Sequence, residues 1–148
     1  MSPQAQQIIA IVQRAATQHN AFVAVGPGAG NAVTNLVMRQ ANQEIAALFA
    51  DAVIEQAFLE GVRQNVDYYL AGTREVIEVE LSLSNPYPCL EKDSLKILLA
   101  RDSGHKIDRL ILVGDRGCAQ RMAAPAPQAI IEYLDRCHGL QVEVHELT

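Results

Sequence analysis

Apolar and polar positions alternate along the run Val76-Ile77-Glu78-Val79-Glu80-Leu81-Ser82-Leu83. Strand geometry points residues i and i+2 to one face. Glu78 and Glu80 therefore project together, and Ile77, Val79, Leu81 and Leu83 line the other face. A second apolar run, Val66-Asp67-Tyr68-Tyr69-Leu70, precedes it, and Ala71-Gly72-Thr73-Arg74 is short enough to close a hairpin. Strands are predicted over about 65–70 and 75–83, and the hairpin would bring Asp67 near the two glutamates.

The rest of the chain reads as helices and further strands. Ser2 to Ala16 is an amphipathic helix with Ile8, Ile9, Ile11 and Val12 near one stripe. Ala21 to Val25 predicts a short strand, and Gly26-Pro27-Gly28-Ala29-Gly30 a loop. Asn31 to about Gly61 is rich in helix formers, with Gly61 as a stop and a break near Ala41-Asn42. Asn85-Pro86-Tyr87-Pro88 must break the sheet. Glu91 to Arg101 predicts a helix whose apolar face is Leu90, Leu95, Leu98 and Leu99, ended by Gly104. Ile107 to Gly114 has the continuous apolar character of a buried strand. Pro127 to His138, closed by Gly139, is a helix, and Leu140 to Leu147 a final strand. This order predicts the α/β class: a mixed sheet with helices packed against it.

A length of 148 residues suits one domain, and a hydrophobic fraction of 49% allows a substantial core. No run of about 18 apolar residues is present, so no transmembrane helix is expected. Met1-Ser2-Pro3-Gln4 lacks the basic start and apolar run of a signal peptide. The three cysteines are widely spaced and odd in number, which favours a reduced, cytoplasmic setting. The net charge of −5 argues against an indiscriminate nucleic-acid coat. The charge is uneven: Lys92 to Arg121 holds seven basic residues against four acidic ones.

Carboxylates gathered at one place repel unless a proton or a cation separates them. Magnesium prefers oxygen ligands of this kind, and manganese is a possible substitute. Asp67, Glu78 and Glu80 are thus the candidate site, with the Val79 carbonyl beside them. Glu44 or Glu55, expected on the preceding helix, are candidates for an outer contact. A plain half-buried strand with one wet face is the competing structural explanation.

The segment from Asp67 to Asp115 resembles the restriction-endonuclease-like, or PD-(D/E)xK, nuclease superfamily. That family carries an acid on one strand, (D/E)-x-K on the next, then a helix and another core strand. The resemblance implies a single restriction-endonuclease-like domain over 1–148, a mixed β-sheet core flanked by helices. It implies magnesium-dependent hydrolysis of phosphodiester bonds in DNA, with Asp67 and Glu78 as metal ligands and Val79 adding its carbonyl. Glu80 stands at the lysine position, as in the subset of type II restriction enzymes with Glu-x-Glu or Glu-x-Gln. Lys92 or Lys96, on the following helix, would then place an ammonium group at the site. Cutting a duplex would suit a homodimer. The alternative is a catalytically inactive module of the same fold that binds nucleic acid or protein.

Other motifs are weaker. The Gly26–Gly30 loop is not a P-loop, because no Gly-Lys-Ser/Thr follows. Cys137-His138 lacks a second zinc-ligand pair, and Cys118 has no neighbouring histidine in sequence. Lys106, Arg109, Arg116 and Arg121 are candidate phosphate contacts, and Tyr68 and Tyr69 candidate base-stacking groups.

Overall fold

The computed structural model describes residues 1–21, 30–58, 65–82 and 85–148. Of the strand expected over 21–25 only Ala21 is described, as a turn; the rest of it, most of the glycine-rich loop, the Gly61 stop and Leu83 lie outside the described residues. Helix α1, Pro3–Gln18, begins where Ser2 Oγ accepts the Ala5 N–H at 3.1 Å and Pro3 needs no partner for a missing N–H. Its buried residues include Ile8, Ile9, Ile11, Val12, Ala15 and Ala16. Helix α2, Gly30–Leu48, runs against it and buries Val37, Ala41 and Ile45 at helical spacing.

The long helix expected to reach Gly61 stops at Leu48, and Ala52–Ala57 form strand β1 instead. Helix propensity loses here to tertiary pairing. Ala52 and Ile54 pack into the core beneath the two helices, while β1 hydrogen-bonds to its neighbour in the sheet. Glu55 therefore sits on a strand, not a helix.

Strands β2, Asn65–Leu70, and β3, Glu75–Glu80, form the expected hairpin. Helix α3, Pro86–Asp102, leads to β4, Arg109–Gly114, which is parallel to β3. A short helix α4, Cys118–Met122, absent from the sequence reading, and α5, Pro125–His138, lead to β5, Gln141–Glu146, parallel to β4. The sheet order is β1-β2-β3-β4-β5. Its first three strands are an antiparallel meander, and its parallel pairs are joined by helical crossovers.

Alternation along the strands serves two cores. Tyr68, Leu70, Ile77, Val79, Ile111 and Val113 meet α1 and α2. Val76, Leu110 and Leu112 meet Leu90, Ile97, Cys118, Met122 and Leu134 on the other side. The chain is a mixed α/β fold, a five-stranded mixed sheet flanked by helices. Among the described residues no helix is long and apolar enough to cross a membrane.

Helix α3 departs from its expected packing. Pro86 and Pro88 open it instead of merely ending the sheet, since proline is tolerated in a first turn. Of its expected apolar face, Leu90 is buried and Leu98 and Leu99 are half-buried, but Leu95 is left out. Leu95 is 52% exposed, whereas Leu90, Asp93, Ser94, Lys96, Ile97 and Ala100 are buried. The sheet face beneath α3 carries glutamates, so the helix matches it with polar groups.

Candidate functional site

The β2–β3 ladder runs through Leu70/Glu75, Tyr69/Val76 and Tyr68/Ile77. The next residues in register would be Asp67 and Glu78. There a side chain replaces the main chain: Asp67 Oδ2 accepts the Val79 N–H at 2.7 Å. On the other side of Asp67, β1 is also irregular. Glu55 falls opposite it in register and has a left-handed φ of 53°, a conformation that costs a side-chain-bearing residue free energy. The sheet is thus locally opened on both sides of Asp67.

Glu78 and Glu80 share the face turned to α3, and Ile77, Val79 and Leu81 share the opposite one. Residues one helical turn apart on α3 meet the two glutamates in turn. Lys96 Nζ donates to Glu78 Oε1 at 2.8 Å, and Lys92 Nζ donates to Glu80 Oε1 at 3.0 Å. The Lys96 ammonium also lies 2.9 Å from Asp93 Oδ1, an ion pair without hydrogen-bond alignment. Glu78 is 5% exposed, Lys96 8% and Asp93 fully buried. Lys92 lies at the rim, half exposed, 3.6 Å from Asp93 Oδ1. The wet strand face considered above is therefore not what forms; α3 covers it.

Three carboxylates, Asp67, Glu78 and Asp93, surround one buried ammonium, and the imbalance shows in their proton affinities. Burial pushes Asp67 up to about 6; the Val79 N–H and Lys96 oppose this, while Glu80 and Asp93 add to it. Burial, Asp93 and Asp67 push Glu78 up to about 8 against the pull of Lys96. Asp93 is also raised, first by burial. Burial alone would lower Lys96, but Glu78 and Asp93 outweigh it and hold the ammonium above its usual range. Lys92 is raised in the same way by Glu80 and Asp93.

Among the described residues no three His, Cys, Asp or Glu side chains form a ready-made metal-binding group. Magnesium asks for less, because it is held through one or two carboxylates and keeps several waters. Asp67 and Glu78 come from adjacent strands where their ladder ends. Asp67 Oδ1 and Glu78 Oε2 are the oxygens outside the two contacts just described. The N–H and C=O of one strand residue point the same way, so the Val79 carbonyl faces the same opened edge as its N–H. This all-oxygen donor set fits a hard divalent ion.

Other candidates lie elsewhere. Glu44 pairs with Arg14 on the α1–α2 layer, away from the site. Tyr68 is buried and donates to Asn42 Oδ1 at 2.8 Å, and Tyr69 packs edge-on against Phe58 and His105. Neither tyrosine is presented for base stacking. Arg109 is engaged by Glu75, Glu143 and Gln141, and Arg121 by Asp115. These two arginines are paired within the chain; Lys106 and Arg116 are exposed. Cys118 is buried and Cys137 exposed.

Asp93 is the site residue that the sequence reading missed. A signal was present: Leu90, Asp93, Ile97 and Ala100 fall at spacings of three and four, so an acid interrupts an otherwise apolar stripe. Comparison with protein-family models, curated proteins and solved structures found no match for this chain.

Proposed function

We propose that this chain is a magnesium-dependent nuclease of the restriction-endonuclease-like fold, hydrolysing phosphodiester bonds in DNA. The order of parts supports this reading: an acid on β2, Glu-x-Glu on β3, then helix α3 and the parallel strand β4. The observation that carries it is the 2.8 Å contact between Lys96 Nζ and Glu78 Oε1. The ammonium that the motif usually takes from β3 is supplied here from α3.

Asp67 and Glu78 would hold the ion, with the Val79 carbonyl as a further oxygen. When bound, the ion supplies Lewis-acid activation of water and neutralises phosphate charge. Glu80, at the rim and hydrogen-bonded to Lys92, orients the attacking water and accepts its proton. Lys96 steadies the negative charge that develops on the phosphate. Lys92 serves Glu80 rather than the phosphate. A homodimer would set two such sites against the two strands of a duplex.

The burial of Glu78, Asp93 and Lys96 favours a second reading, a module of the same fold that binds nucleic acid or protein without cutting it. Purified protein with plasmid DNA separates the two. Magnesium-dependent nicking or linearisation is expected, reduced at least ~10²-fold by Glu78→Ala. Undiminished cutting by that variant removes the proposed role of Glu78, and metal-independent binding without cutting establishes the second reading.

A further inference from the structure

This inference rests on the reading of Asp67 and Glu78 as ligands of a divalent ion. Lys96 has two carboxylate partners, and they are not equivalent. Glu78 is on the sheet, beside Asp67, where an ion would sit. Asp93 is on the same helix as Lys96, one turn earlier, and moves with it. The Glu78 contact is a formed hydrogen bond, whereas the 2.9 Å approach to Asp93 is close but misaligned. Asp93 is fully buried; its Oδ1 lies 2.9 Å from Lys96 Nζ, and its Oδ2 has no hydrogen-bond partner among the described residues. Buried acceptors are rarely left unfilled, and such a case demands an explanation.

We propose that Asp93 is the alternative seat of the Lys96 ammonium, shared with Glu78 while Lys96 neutralises both and taken over fully when a divalent ion takes Glu78. The reason is electrostatic. An ammonium hydrogen-bonded to Glu78 and a dication on the same carboxylate repel strongly in a buried site. An ammonium carries three rotatable donors on a flexible stem, and its second partner is already within 3 Å. A swing of the flexible stem therefore carries the ammonium off Glu78 and onto Asp93. Lys92 is a poor substitute for this exchange, being half exposed, farther from Asp93 and committed to Glu80. In this scheme Asp93 is a positioning residue. Without metal, Lys96 acts as an internal counter-ion for Glu78; with metal, Asp93 keeps it near the site but off the ligand.

The scheme differs from simple charge counting in one respect. Charge counting makes the effects of Asp93 and Lys96 on metal affinity add. Exchange makes them interact, because losing the seat matters only while there is a lysine to be seated. The test is Mn²⁺ binding by titration calorimetry, at one pH and ionic strength, to the full chain and to Asp93→Asn, Lys96→Met and the double variant. Asp93→Asn is expected to weaken Mn²⁺ at least about fivefold when Lys96 is present and less than about twofold in the Lys96→Met background. Equal penalties in the two backgrounds overturn the proposal. So does the absence of Mn²⁺ uptake by the unaltered chain up to about 10 mM.

Lys96→Met leaves buried carboxylates without a counter-ion and risks misfolding, so crystals of the unaltered chain with and without Mn²⁺ give an independent answer. With the ion, Lys96 Nζ should lie beyond about 4 Å from Glu78 and within hydrogen-bond distance of Asp93. Lys96 still bonded to Glu78 beside the ion overturns the proposal. Plasmid cleavage measured in parallel keeps the two ideas apart. Lysine exchange without cleavage removes the nuclease and retains the exchange. Mn²⁺-dependent cleavage with additive penalties does the reverse.

Discussion

Glu75 and Glu78 stand three residues apart on β3, are 2% and 5% exposed, and have opposite electrostatic fates. Glu75 is surrounded by donors. It accepts the Ser2 N–H at 2.8 Å, the Thr73 hydroxyl at 2.8 Å and Arg109 Nη1 at 3.3 Å. Burial pulls its pKa up, but the bonds from Ser2 and Thr73 outweigh this and the net shift is downward. Glu78 has one donor, Lys96, and two like charges, Asp93 and Asp67. Depth of burial therefore does not distinguish a structural carboxylate from a functional candidate. The balance of donors against like charges does. Glu75 is complete as it stands, whereas the Glu78 cluster is short of positive charge, which the proposed ion would supply.

Substitution by glutamine is the strongest test of this contrast, because it keeps the shape and removes the charge. Glu75→Gln is expected to cost about 2 kcal/mol of stability, the scale of hydrogen bonds to a charged group. Glu78→Gln should instead stabilise the metal-free chain at pH 8, by up to about 1 kcal/mol, since Lys96 retains Asp93 and a repulsive charge is gone. Urea unfolding in the presence of a chelator measures both. Equal destabilisation by the two variants would break the distinction.

The pH dependence gives a smaller but directional effect. Asp67 and Glu78 have native pKa values raised to about 6 and about 8, above the ~4 of an unfolded carboxyl. The native state therefore binds more protons than the unfolded state between these values, and stability falls as pH rises. Their contribution is full below about pH 4 and is lost through about 6 and then about 8. Glu75 has the opposite sign: its contribution is present above the unfolded value and is lost as pH falls through its lowered one. Thermal melts in chelator should thus show metal-free stability declining from pH 5 to 8. Glu78→Gln should flatten the upper part of the decline, and magnesium should raise stability most at the alkaline end. A flat profile would mean that Lys96 fully compensates the acids.

Lys92→Ala marks the lower end of the scale. Its pair with Glu80 is half exposed, so a stability loss below about 1 kcal/mol is expected by denaturant unfolding. Its effect on cleavage should be far smaller than that of Lys96→Met. A loss of cleavage as large as that of Lys96→Met would make Lys92, not Lys96, the working lysine.

Much of the fold was legible because strand alternation and proline and glycine punctuation are local signals. The β2–β3 hairpin, the buried β4, and α5 ended by Gly139 at φ 57° all follow from nearest-neighbour rules. The end of α2 did not. Ala46 to Ala52 is good helix sequence, and β1 exists because β2 offers it a partner and α1 and α2 offer Ala52 and Ile54 a core. The face of α3 was misread in part, at Leu95, Asp93 and Lys96, for a related reason. Counting leucines picked out Leu95, but a helix buries whatever complements the surface below it, and that surface carries Glu78 and Glu80.

The sequence by itself determined that Glu78 and Glu80 share a face, that Asp67 lies on the partner strand, and that two lysines follow on a helix. These are consequences of the periods of strand and helix. Only the tertiary structure decided that Asp67 would leave the ladder for the Val79 N–H, that Lys96 would be the lysine buried against Glu78, and that Asp93 would join them. Those choices depend on how α3 is set down across β3, and on the cost of burying each charge once water has been excluded.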